Sequence, residues 1–531
     1  MHNSAVGYAL GKLMQVMGIL LLIPTAFALW DYSGLPWSER LFHAEVTGFL
    51  IAIALALLVG TILTLIFRKG HQLQGLKEGY AIVAFGWLVM AFLAAIPITV
   101  YLESELGGGT SSLWGNFTNS YFEVMSGFTT TGATIFSDVE SLPRSILFLR
   151  SLTHWLGGMG IITLALVVFP SMGVAAYQIF RGEVPGVTKD KLSPKLSQTA
   201  SFLWGSYVIL TIAETVLLWL GEMNLFEAVN HAFATMATGG FSTRNASIAA
   251  YGDYTHWVII LFMFLAGVNF VLHLKWMRGD FRPLIKNREF LFYSGIIIGA
   301  AVIIAATLYV NGPAPEPHAA NSYRHAPMTT EEFTVHYEAQ ATKTETVYGA
   351  FKESLFQVLS MVTTTGFTTA DYDLWPDFVR MLLILMMFLG GCAGSTAGSI
   401  KMIRIQIVCK AAVRQLRVLT QPKLITPIRV GNEVIAEDKV AQVILFFILF
   451  VGLFVIIGML MTLFVADTTT AFASSIATIA GVGPGLAGIG AVENYGWLPL
   501  TAKWILILSM LLGRLEIFTV LILFRPSVWR K

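Results

Sequence analysis

The sequence predicts an all-α protein that crosses a membrane many times, and three observations predict this fold class. First, 55% of the 531 residues are hydrophobic and only 12% are charged, about half the charged fraction of an average soluble domain. Second, ten apolar stretches have the roughly 20-residue length that a helix needs to cross a bilayer. Third, four related Gly- and Thr-rich strings recur between those stretches. This composition argues against a soluble enzyme. Two cysteines and a net charge of +2 argue against a disulfide-stabilised secreted protein and a nucleic-acid-binding protein.

The apolar stretches define ten expected spans. They lie at 8–30, 45–67, 80–101, 144–170, 199–220, 255–275, 290–310, 375–412, 440–466 and 501–525. The first has no basic leader and no small-residue cleavage site, so we expect a retained helix rather than a signal peptide. Most of the 34 Lys and Arg residues fall on segments that share a side with both termini. Because positively charged loops stay in the cytoplasm, we expect both termini to be cytoplasmic.

Short polar segments between alternate spans carry the four strings. They read TTTGAT at 129–134, ATGGFST at 237–243, TTTGFTT at 363–369 and GVGPG at 481–485. Each follows about 15 moderately apolar residues, too few to cross a bilayer as a helix, and each precedes another span. The expected unit is therefore a span, a short half-helix, a glycine loop and a second span, repeated four times.

This unit divides the chain into five parts. We expect a two-helix transmembrane extension at 1–79, followed by repeats at 80–198, 199–289, 290–439 and 440–531. The third repeat contains a long external insert at 311–345. Its histidines, His318, His325 and His336, have spacings that match no zinc motif, so we expect a solvated loop there.

The residue types in the strings predict an ion site without charged ligands. Non-helical backbone at membrane depth is tolerated only where protein or water satisfies its polar groups, so four such loops predict a water-lined axis. Glycine can turn carbonyl oxygens toward that axis, and threonine adds hydroxyl oxygens. Neutral oxygens suit a monovalent cation, whereas rings of Asp or Glu would indicate a divalent-cation pore. The expected ligands are Thr130, Thr131, Gly132, Ala237, Thr238, Gly239, Thr364, Thr365, Gly366, Gly481, Val482 and Gly483.

Two other interpretations of the strings are weaker. Small residues also form turns and helix-packing surfaces, which explains one string more easily than four at one place in a repeated unit. The glycines of GVGPG resemble a dinucleotide-binding fingerprint, but a Ser/Thr/Ala-rich half-helix precedes them instead of a strand. The sequence contains no nucleophile with a paired base, phosphate loop or metal cluster, so we expect no enzyme activity.

Longer strings give a specific family resemblance. HWLGGMGII at 154–162, RGEVPGVTKDKLSP at 181–194, AGVNFVLHL at 266–274, GGCAGSTAGSIKMIR at 390–404 and GRLEIFTVLILF at 513–524 resemble the membrane subunits of bacterial Trk potassium uptake systems (TrkH-type). These subunits belong to the Trk/Ktr/HKT superfamily of cation transporters. The resemblance runs from Tyr80 to Phe524, and the two preceding spans are similar to the extra N-terminal pair of the Trk branch.

The resemblance implies potassium-selective uptake across a bacterial inner membrane. It implies a pseudo-fourfold pore within one subunit, K⁺ as the bound and transported ion without an organic cofactor, a homodimer in membrane lipid, and a TrkA-type cytoplasmic nucleotide-binding regulatory subunit. The family's filter glycines correspond to Gly132, Gly239, Gly366 and Gly483. Glycine rather than serine at 132 favours K⁺ over Na⁺. We expect passive movement of the ion, with obligate symport of K⁺ with H⁺ or Na⁺ as the alternative.

Residues 390–399 interrupt the span expected at 375–412. The string GGCAGSTAGS holds four glycines, and each glycine costs about 1 kcal/mol relative to alanine inside a helix. In the family, this stretch resembles an intramembrane loop that occludes the pore. The expected gating residues there are Gly390, Gly391, Gly394, Ser395, Thr396 and Gly398. A close helix–helix contact through the same glycines is the alternative.

A few charged residues lie within or beside the spans. We expect Arg514 to act as an electrostatic barrier or gating element, because an intramembrane charge normally faces a cavity or an ion path. The alternative is an arginine that joins helices through carbonyl groups. Lys401 is either a second gating residue or the first cytoplasmic charge, and we expect Glu214 to form a structural pair rather than a proton relay. Three further carboxylates are expected to anchor half-helices by hydrogen bonding: Glu123, Glu227 and Glu353.

Overall fold

The fold is almost entirely helical in the part of the chain that the computed structural model describes, residues 3–71, 76–105, 112–160, 196–312, 330–421, 426–431 and 433–529. The helices are α1 (Asn3–Leu20), α2 (Leu22–Asp31), α3 (Trp37–Phe42), α4 (Ala44–Ile66), α5 (Leu76–Glu105), α6 (Leu113–Phe128), α7 (Arg144–Gly158), α8 (Leu196–Leu220), α9 (Leu225–Met236), α10 (Asp253–Ala266), α11 (Phe270–Met277), α12 (Arg282–Lys286), α13 (Arg288–Asn311), α14 (Thr330–Thr342), α15 (Val347–Val362), α16 (Asp377–Met387), α17 (Met402–Thr420), α18 (Glu437–Met461), α19 (Thr468–Ala480), α20 (Leu500–Arg514), α21 (Phe518–Leu523) and α22 (Pro526–Trp529). Single 3₁₀ turns lie at Arg68–His71, Ser247–Ala250, Tyr372–Leu374 and Ala487–Ile489. Two short strands, β1 (Arg429–Val430) and β2 (Glu433–Val434), pair in antiparallel fashion.

Six of the described helical units are long and apolar enough to cross a membrane, and the bent pair α10–α11 would be a seventh. The six units are the N-terminal pair α1–α2 and the single helices α4, α5, α8, α13 and α18. These lengths and this apolar character are those of a multi-pass membrane protein.

Besides the one-residue break at Leu21 in the span expected at 8–30, four of the ten expected spans are not continuous helices in the described residues. The first, expected at 144–170, is helical to Gly158, and its remainder beyond residue 160 lies outside the described residues, as does the string at 181–194. In the second, α10 and α11 meet at 107°. Residues 388–401 separate α16 from α17, and residues 515–517 separate α20 from α21. The glycines at 390–399 predicted the interruption between α16 and α17. The sequence did not reveal the other three breaks, because apolar residues continue on both sides of them.

Glycine explains why chain segments can pack so closely at the breaks. A Cβ atom built on Gly158 would lie 2.7 Å from the Cα atom of Ala237, and one built on Gly391 would lie 2.7 Å from the carbonyl oxygen of Gly267. Real Cβ atoms do not approach other atoms this closely. A larger residue at either glycine would therefore force its neighbouring segment away.

Four short helices, α6, α9, α15 and α19, are buried among the long ones. They contain 16, 12, 16 and 13 residues, and at about 1.5 Å per residue each is too short to cross the hydrocarbon layer. Each begins at a polar residue whose side chain accepts a hydrogen bond from a backbone N–H in the first turn, the usual N-cap arrangement. The capping residues are Ser112, Asn224, Thr346 and Asp467.

Each short helix has a long helix before it, and an irregular loop and a second helix after it. The successive sets are α5–α6–α7, α8–α9–α10, α13–α15–α16 and α18–α19–α20. Neighbouring sets also pack together. Trp155 on α7 stacks on Phe233 of α9, with ring centroids 5.0 Å apart, and on Tyr207 of α8. The second helix of the first set therefore packs against the short helix of the second set.

Candidate functional site

The loops that follow the four short helices share one backbone conformation. We call them the first (129–134), second (237–243), third (363–369) and fourth (481–485) loops. In each, two residues with positive φ flank one residue without it. The pairs are Thr130 (53°) and Gly132 (82°), Thr238 (56°) and Gly240 (81°), Thr364 (57°) and Gly366 (79°), and Gly481 (73°) and Gly483 (95°). The threonines adopt a conformation that is uncommon for residues other than glycine.

A backbone hydrogen bond fixes the same register in all four loops. The N–H of the residue between the two positive-φ positions donates to a carbonyl in the last turn of the short helix. These bonds are Thr131 N to Ser126 O (2.9 Å), Gly239 N to Ala234 O (2.8 Å), Thr365 N to Ser360 O (2.8 Å) and Val482 N to Ala477 O (2.8 Å).

This register corrects the sequence alignment of the second loop by one residue. We expected Gly239 to correspond to Gly132, but Gly240 has the positive φ and Gly239 corresponds to Thr131. Ala237, which we expected to be a ligand, therefore lies one position before the stretch 238–240 that corresponds to 130–132. The string ATGG contains two adjacent glycines, and composition alone does not indicate which one must adopt the left-handed conformation.

The four loops contact one another in cyclic order. A Cβ atom built on Gly132 would collide with the carbonyl oxygen of Gly239 in the second loop. The same collision recurs between each loop and the next, always with the residue preceding the next loop's glycine. The other pairs are Gly240 with Thr365 O, Gly366 with Val482 O and Gly483 with Thr131 O. The fourth loop thus meets the first, and the loops close into a ring, which we call the loop ring.

The threonine hydroxyls of the first and third loops bind within the protein. Thr131 Oγ1 lies 2.8 Å from Thr129 Oγ1, which donates to Met125 O on α6. Thr365 and Thr363 make the same 2.8 Å contact in the third loop. These hydroxyls tie the loops to the short helices, which leaves the backbone carbonyls as the oxygens at the contacts between loops.

Buried glutamates hold the loops from outside the ring. Glu123 accepts hydrogen bonds from Ile135 N (2.8 Å) and Thr134 Oγ1 and pairs with Arg150 at 2.7 Å. Glu353 accepts from Thr369 Oγ1 and pairs with Lys352, and Glu227 pairs with Arg244 at 2.7 Å. Each glutamate connects a short helix to the chain near its loop.

Residues 390–399, which we call segment 390–399, lie against the ends of three short helices. Gly398 N donates to Thr364 Oγ1 (2.7 Å), and Thr396 Oγ1 donates to Met236 O (3.0 Å). A Cβ atom on Gly398 would collide with Ala480 O. The segment therefore contacts the second, third and fourth short helices or their loops.

Segment 390–399 is closed by a backbone hydrogen bond and is bound by one neighbouring helix, α13. Gly390 N donates to Ile400 O (2.8 Å), which closes the segment on itself. Glu289 on α13 accepts hydrogen bonds from Ala393 N (2.7 Å) and Ile403 N (3.0 Å). Sequence reasoning missed Glu289, because a glutamate next to Arg288 and close to other basic residues resembles part of a cytoplasmic loop.

Arg514 connects segment 390–399 to the first repeat. Its Nη1 donates to Thr396 O (3.0 Å), and its Nη2 donates to Gly157 O (2.6 Å) and Gly158 O (3.0 Å). Lys401 donates to Ala397 O within the segment. Glu516 pairs with Arg404 at 2.7 Å. The structure thus brings Arg514, Lys401 and Thr396 together at one place below the loop ring.

Two other sequence expectations have different outcomes. Glu214 is fully buried beside Thr235, and no described basic residue forms a salt bridge with it, so the expected pair is not seen.

The insert at 311–345 is not a solvated loop throughout, because its end forms α14. There, His336 lies 3.1 Å from Asp371, and Lys343 Nζ donates to Thr369 O (2.8 Å). His318 and His325 lie outside the described residues, and no group able to hold a metal ion is found in the rest.

Comparison with known proteins places this geometry in a family. The TrkH family model, described as cation transport protein, matches residues 46–291 and 329–531. The chain is 35% identical to the Trk system potassium uptake protein TrkH of Escherichia coli K12, with 100% of both chains covered. It is 33% identical to the protein of that name from Vibrio parahaemolyticus, over 98% of both.

A solved structure agrees with the sequence comparison. The crystal structure of the potassium transporter TrkH from Vibrio parahaemolyticus matches with a TM-score of 0.79 and 30% identity, over 100% of both chains. The family model leaves residues 292–328 unmatched, a range that includes much of α13 and the start of the insert. From the loop ring, the helix order and these full-length matches, we conclude that the chain belongs to the TrkH family of cation transport proteins.

Proposed function

We propose that this chain carries K⁺ across a bacterial inner membrane through the loop ring. The observation that carries the proposal is the cyclic contact among four loops of identical backbone conformation. Such a ring surrounds an axis with backbone carbonyl oxygens, and carbonyl rings replace the hydration shell of K⁺ in selectivity filters. The relatives named as potassium uptake proteins support the choice of ion.

The charge distribution around the ring fits a monovalent cation. The loops contain no Asp or Glu among their filter positions, and Glu123, Glu227 and Glu353 on the short helices pair with Arg or Lys. The short helices end at the loops, so the negative ends of their dipoles favour a cation close to the ring. The ligands in this proposal are the stretches 130–132, 238–240, 364–366 and 481–483.

Segment 390–399 is the proposed gate. It lies against the short-helix ends, where it would obstruct an axis through the loop ring, and Arg514 holds it to the first repeat. Opening would require the hydrogen bonds of Arg514, Thr396 and Gly398 to break. Arg514 thus combines both sequence interpretations, because it joins chain segments through carbonyl groups and places a positive charge beside the ion path.

The assembly around this pore is part of the same proposal. We infer cytoplasmic termini, a homodimer and a TrkA-type regulatory subunit that docks on the basic cytoplasmic face and acts on the gate. Helix α17 follows the gate directly and carries Arg404, Lys410, Arg414 and Arg417. Force applied by a partner to α17 would therefore reach segment 390–399 through Lys401.

Flux through the purified protein in liposomes tests the filter. Gly132→Ser and Gly366→Ser should each lower the K⁺/Na⁺ permeability ratio by about tenfold or more, because a side chain at either position displaces a carbonyl of the next loop. Gly299→Ser is the matched control, since a Cβ atom there meets no other atom within 4 Å. An unchanged ratio in folded Gly132→Ser and Gly366→Ser proteins would refute the filter assignment.

The reversal potential separates passive conduction from symport. For a passive pathway, it follows the K⁺ gradient alone and stays constant when pH or the Na⁺ gradient changes. A shift with either gradient would favour the coupled mechanism, for which the buried Glu214 is the candidate proton carrier.

A further inference from the structure

The second loop differs from the other three at one position of the ring. The residue between the two positive-φ positions is Thr131, Thr365 or Val482 in those loops, whereas the second loop has Gly239. Gly239 itself does not have a positive φ, so its backbone conformation does not require glycine. Something outside the loop must exclude a side chain there.

The excluding group is the imidazole of His154. A Cβ atom built on Gly239 would occupy the position of the His154 ring, with Nδ1, Cε1 and Cγ as its three nearest atoms. His154 lies on α7, the second helix of the first repeat, and is fully buried. Its ring meets Phe241 edge-on, with centroids 4.1 Å apart, and Phe241 also packs against the Arg150 guanidinium. Neither imidazole nitrogen has a hydrogen-bond partner in the described part of the chain, so shape rather than hydrogen bonding defines this contact.

The second loop also lacks the hydroxyl ties of the first and third loops. There, paired threonines at 129 and 131, and at 363 and 365, bind each other at 2.8 Å. The corresponding residues of the second loop are Ala237 and Gly239, which have no side-chain oxygen. The fourth loop, with Ala480 and Val482 at these positions, lacks the ties as well. At Gly239, the His154 ring supplies a packing contact instead.

The other three repeats have a different residue where the first has His154. A five-residue pattern lies at the end of the second helix of each repeat (α7, α10, α16 or α20). The pattern starts at the position of His154 and has a small residue at its fourth position. The aligned strings are HWLGG at 154–158, MFLAG at 263–267, MFLGG at 387–391 and MLLGR at 510–514. The alignment has structural support, since Cβ atoms on Gly157 and Gly513 would each collide with the carbonyl oxygen just before their own repeat's loop, at Phe128 and Ile479.

Methionine thus stands at three of the four equivalent positions, and all three methionines are buried. In the cyclic order, they correspond to the loops that have threonine or valine. A flexible, unbranched methionine can pack around a β-branched side chain, whereas the compact imidazole fills the volume that glycine leaves empty. The contact between a second helix and the next loop is therefore filled in two ways. One repeat uses histidine against glycine, and the other three use methionine against a β-branched residue.

On this basis, and resting on the proposed function, we propose that His154 is a positioning residue for ion selectivity. Its ring fixes Gly239, whose carbonyl oxygen meets Gly132 in the loop ring. Loss of the ring would let this carbonyl move, and one quarter of the filter would lose its geometry. His154 acts through the loop and does not touch the ion.

A double-mutant cycle tests the pairing. Gly239→Thr alone should lower the K⁺/Na⁺ permeability ratio strongly, because the new side chain collides with His154. His154→Met alone should lower it too, because the second loop then lacks its fitted support. The double variant, which recreates the methionine–threonine pair of two other repeats, should recover most of the ratio, with a coupling of about tenfold or more between the two sites. Reversal potentials in liposomes measure the ratio.

The controls separate this proposal from the filter assignment. Met510→His places an imidazole at the equivalent position of the fourth repeat, where Thr131 keeps its side chain, so it should reduce the ratio and should not be rescued by Gly239→Thr. Wild-type protein without K⁺ selectivity would contradict the proposed function. Selective wild-type protein with additive effects at 154 and 239 would overturn the pairing alone.

Stability gives a second measurement if a variant fails to fold. Thermal unfolding in detergent should show Gly239→Thr as the least stable of the set and the double variant as more stable than it. Equal instability of the single and double variants would also overturn the pairing.

Discussion

The loop ring and segment 390–399 lie next to each other but are built on different principles. The ring consists of four loops of one conformation, in which glycines let neighbouring backbones touch. Segment 390–399 occurs once in the part of the chain that the structure describes, and it is held by hydrogen bonds to Thr364, Glu289 and Arg514. Close packing changes only if several neighbours move together, whereas a hydrogen bond can be exchanged singly. If the proposed function holds, this difference means that selectivity lies in the part that resists movement and gating in the part that can be released stepwise.

The largest effect on the segment is expected from Arg514→Ala. This change removes three charge-assisted hydrogen bonds, each worth about 1.5–3 kcal/mol, and should raise K⁺ flux about tenfold or more. The K⁺/Na⁺ permeability ratio should stay the same, because the ring does not depend on Arg514. Liposome flux measures both quantities.

Arg525→Ala serves as the control, since Arg525 is exposed beyond α21. A folded Arg514→Ala protein with wild-type flux would contradict the gating role. A changed permeability ratio would instead show that ring and segment are not separable.

A smaller effect is expected from Glu289→Gln. The carboxylate accepts one backbone N–H group within the segment and one in the first turn of α17. The neutral amide is a weaker acceptor, so flux should rise about threefold. Glu433→Gln on the exposed hairpin is the control. Flux at or below the wild-type level in Glu289→Gln would count against Glu289 as an anchor of the closed segment.

The smallest effect concerns the outer side of the ring, where Asp373 joins the third and fourth repeats. Asp373 accepts a hydrogen bond from Ala487 N (3.0 Å). Burial and the nearby Asp371 raise the pKa of Asp373 above its usual 3.8. The folded state thus favours the protonated carboxyl, so this contribution to stability is complete below pH 3.8 and is lost as pH rises through the raised pKa.

Asp373→Asn should therefore remove part of the fall in unfolding temperature between pH 4 and neutral pH, by about 1–3 °C. Thermal unfolding in detergent at a series of pH values measures it, with the exposed Asp377→Asn as the control. An identical pH profile for wild type and Asp373→Asn would show that Asp373 has no raised pKa. The permeability ratio should not change in either variant.

The sequence predicted the positions of the four loops because glycine and threonine recur there in a repeated context. It did not resolve the second loop, since Gly239 and Gly240 are chemically identical and only the backbone conformation distinguishes them. It missed the breaks after Gly158 and at Gly267, because apolar residues continue on both sides and a helix break leaves no mark on hydropathy.

Contacts between distant parts of the chain could not be predicted, because the sequence carries no signal for them either. Arg514 stood out as a charge within an apolar stretch, but its carbonyl partners at Gly157 and Thr396 carry no sequence signal. His154 was part of a family string without an expected role. Its significance depends on Gly239, which only the folded chain brings beside it.

The cyclic contact of the loops has an evolutionary consequence. A filter assembled from four identical subunits receives every mutation four times, so a histidine would have to suit all quadrants at once. Here, one chain contains all four repeats, so a substitution can occur in one repeat while the other three keep their residues. The histidine–glycine pair and segment 390–399 are differences of this kind, because each lies in one repeat of the described chain.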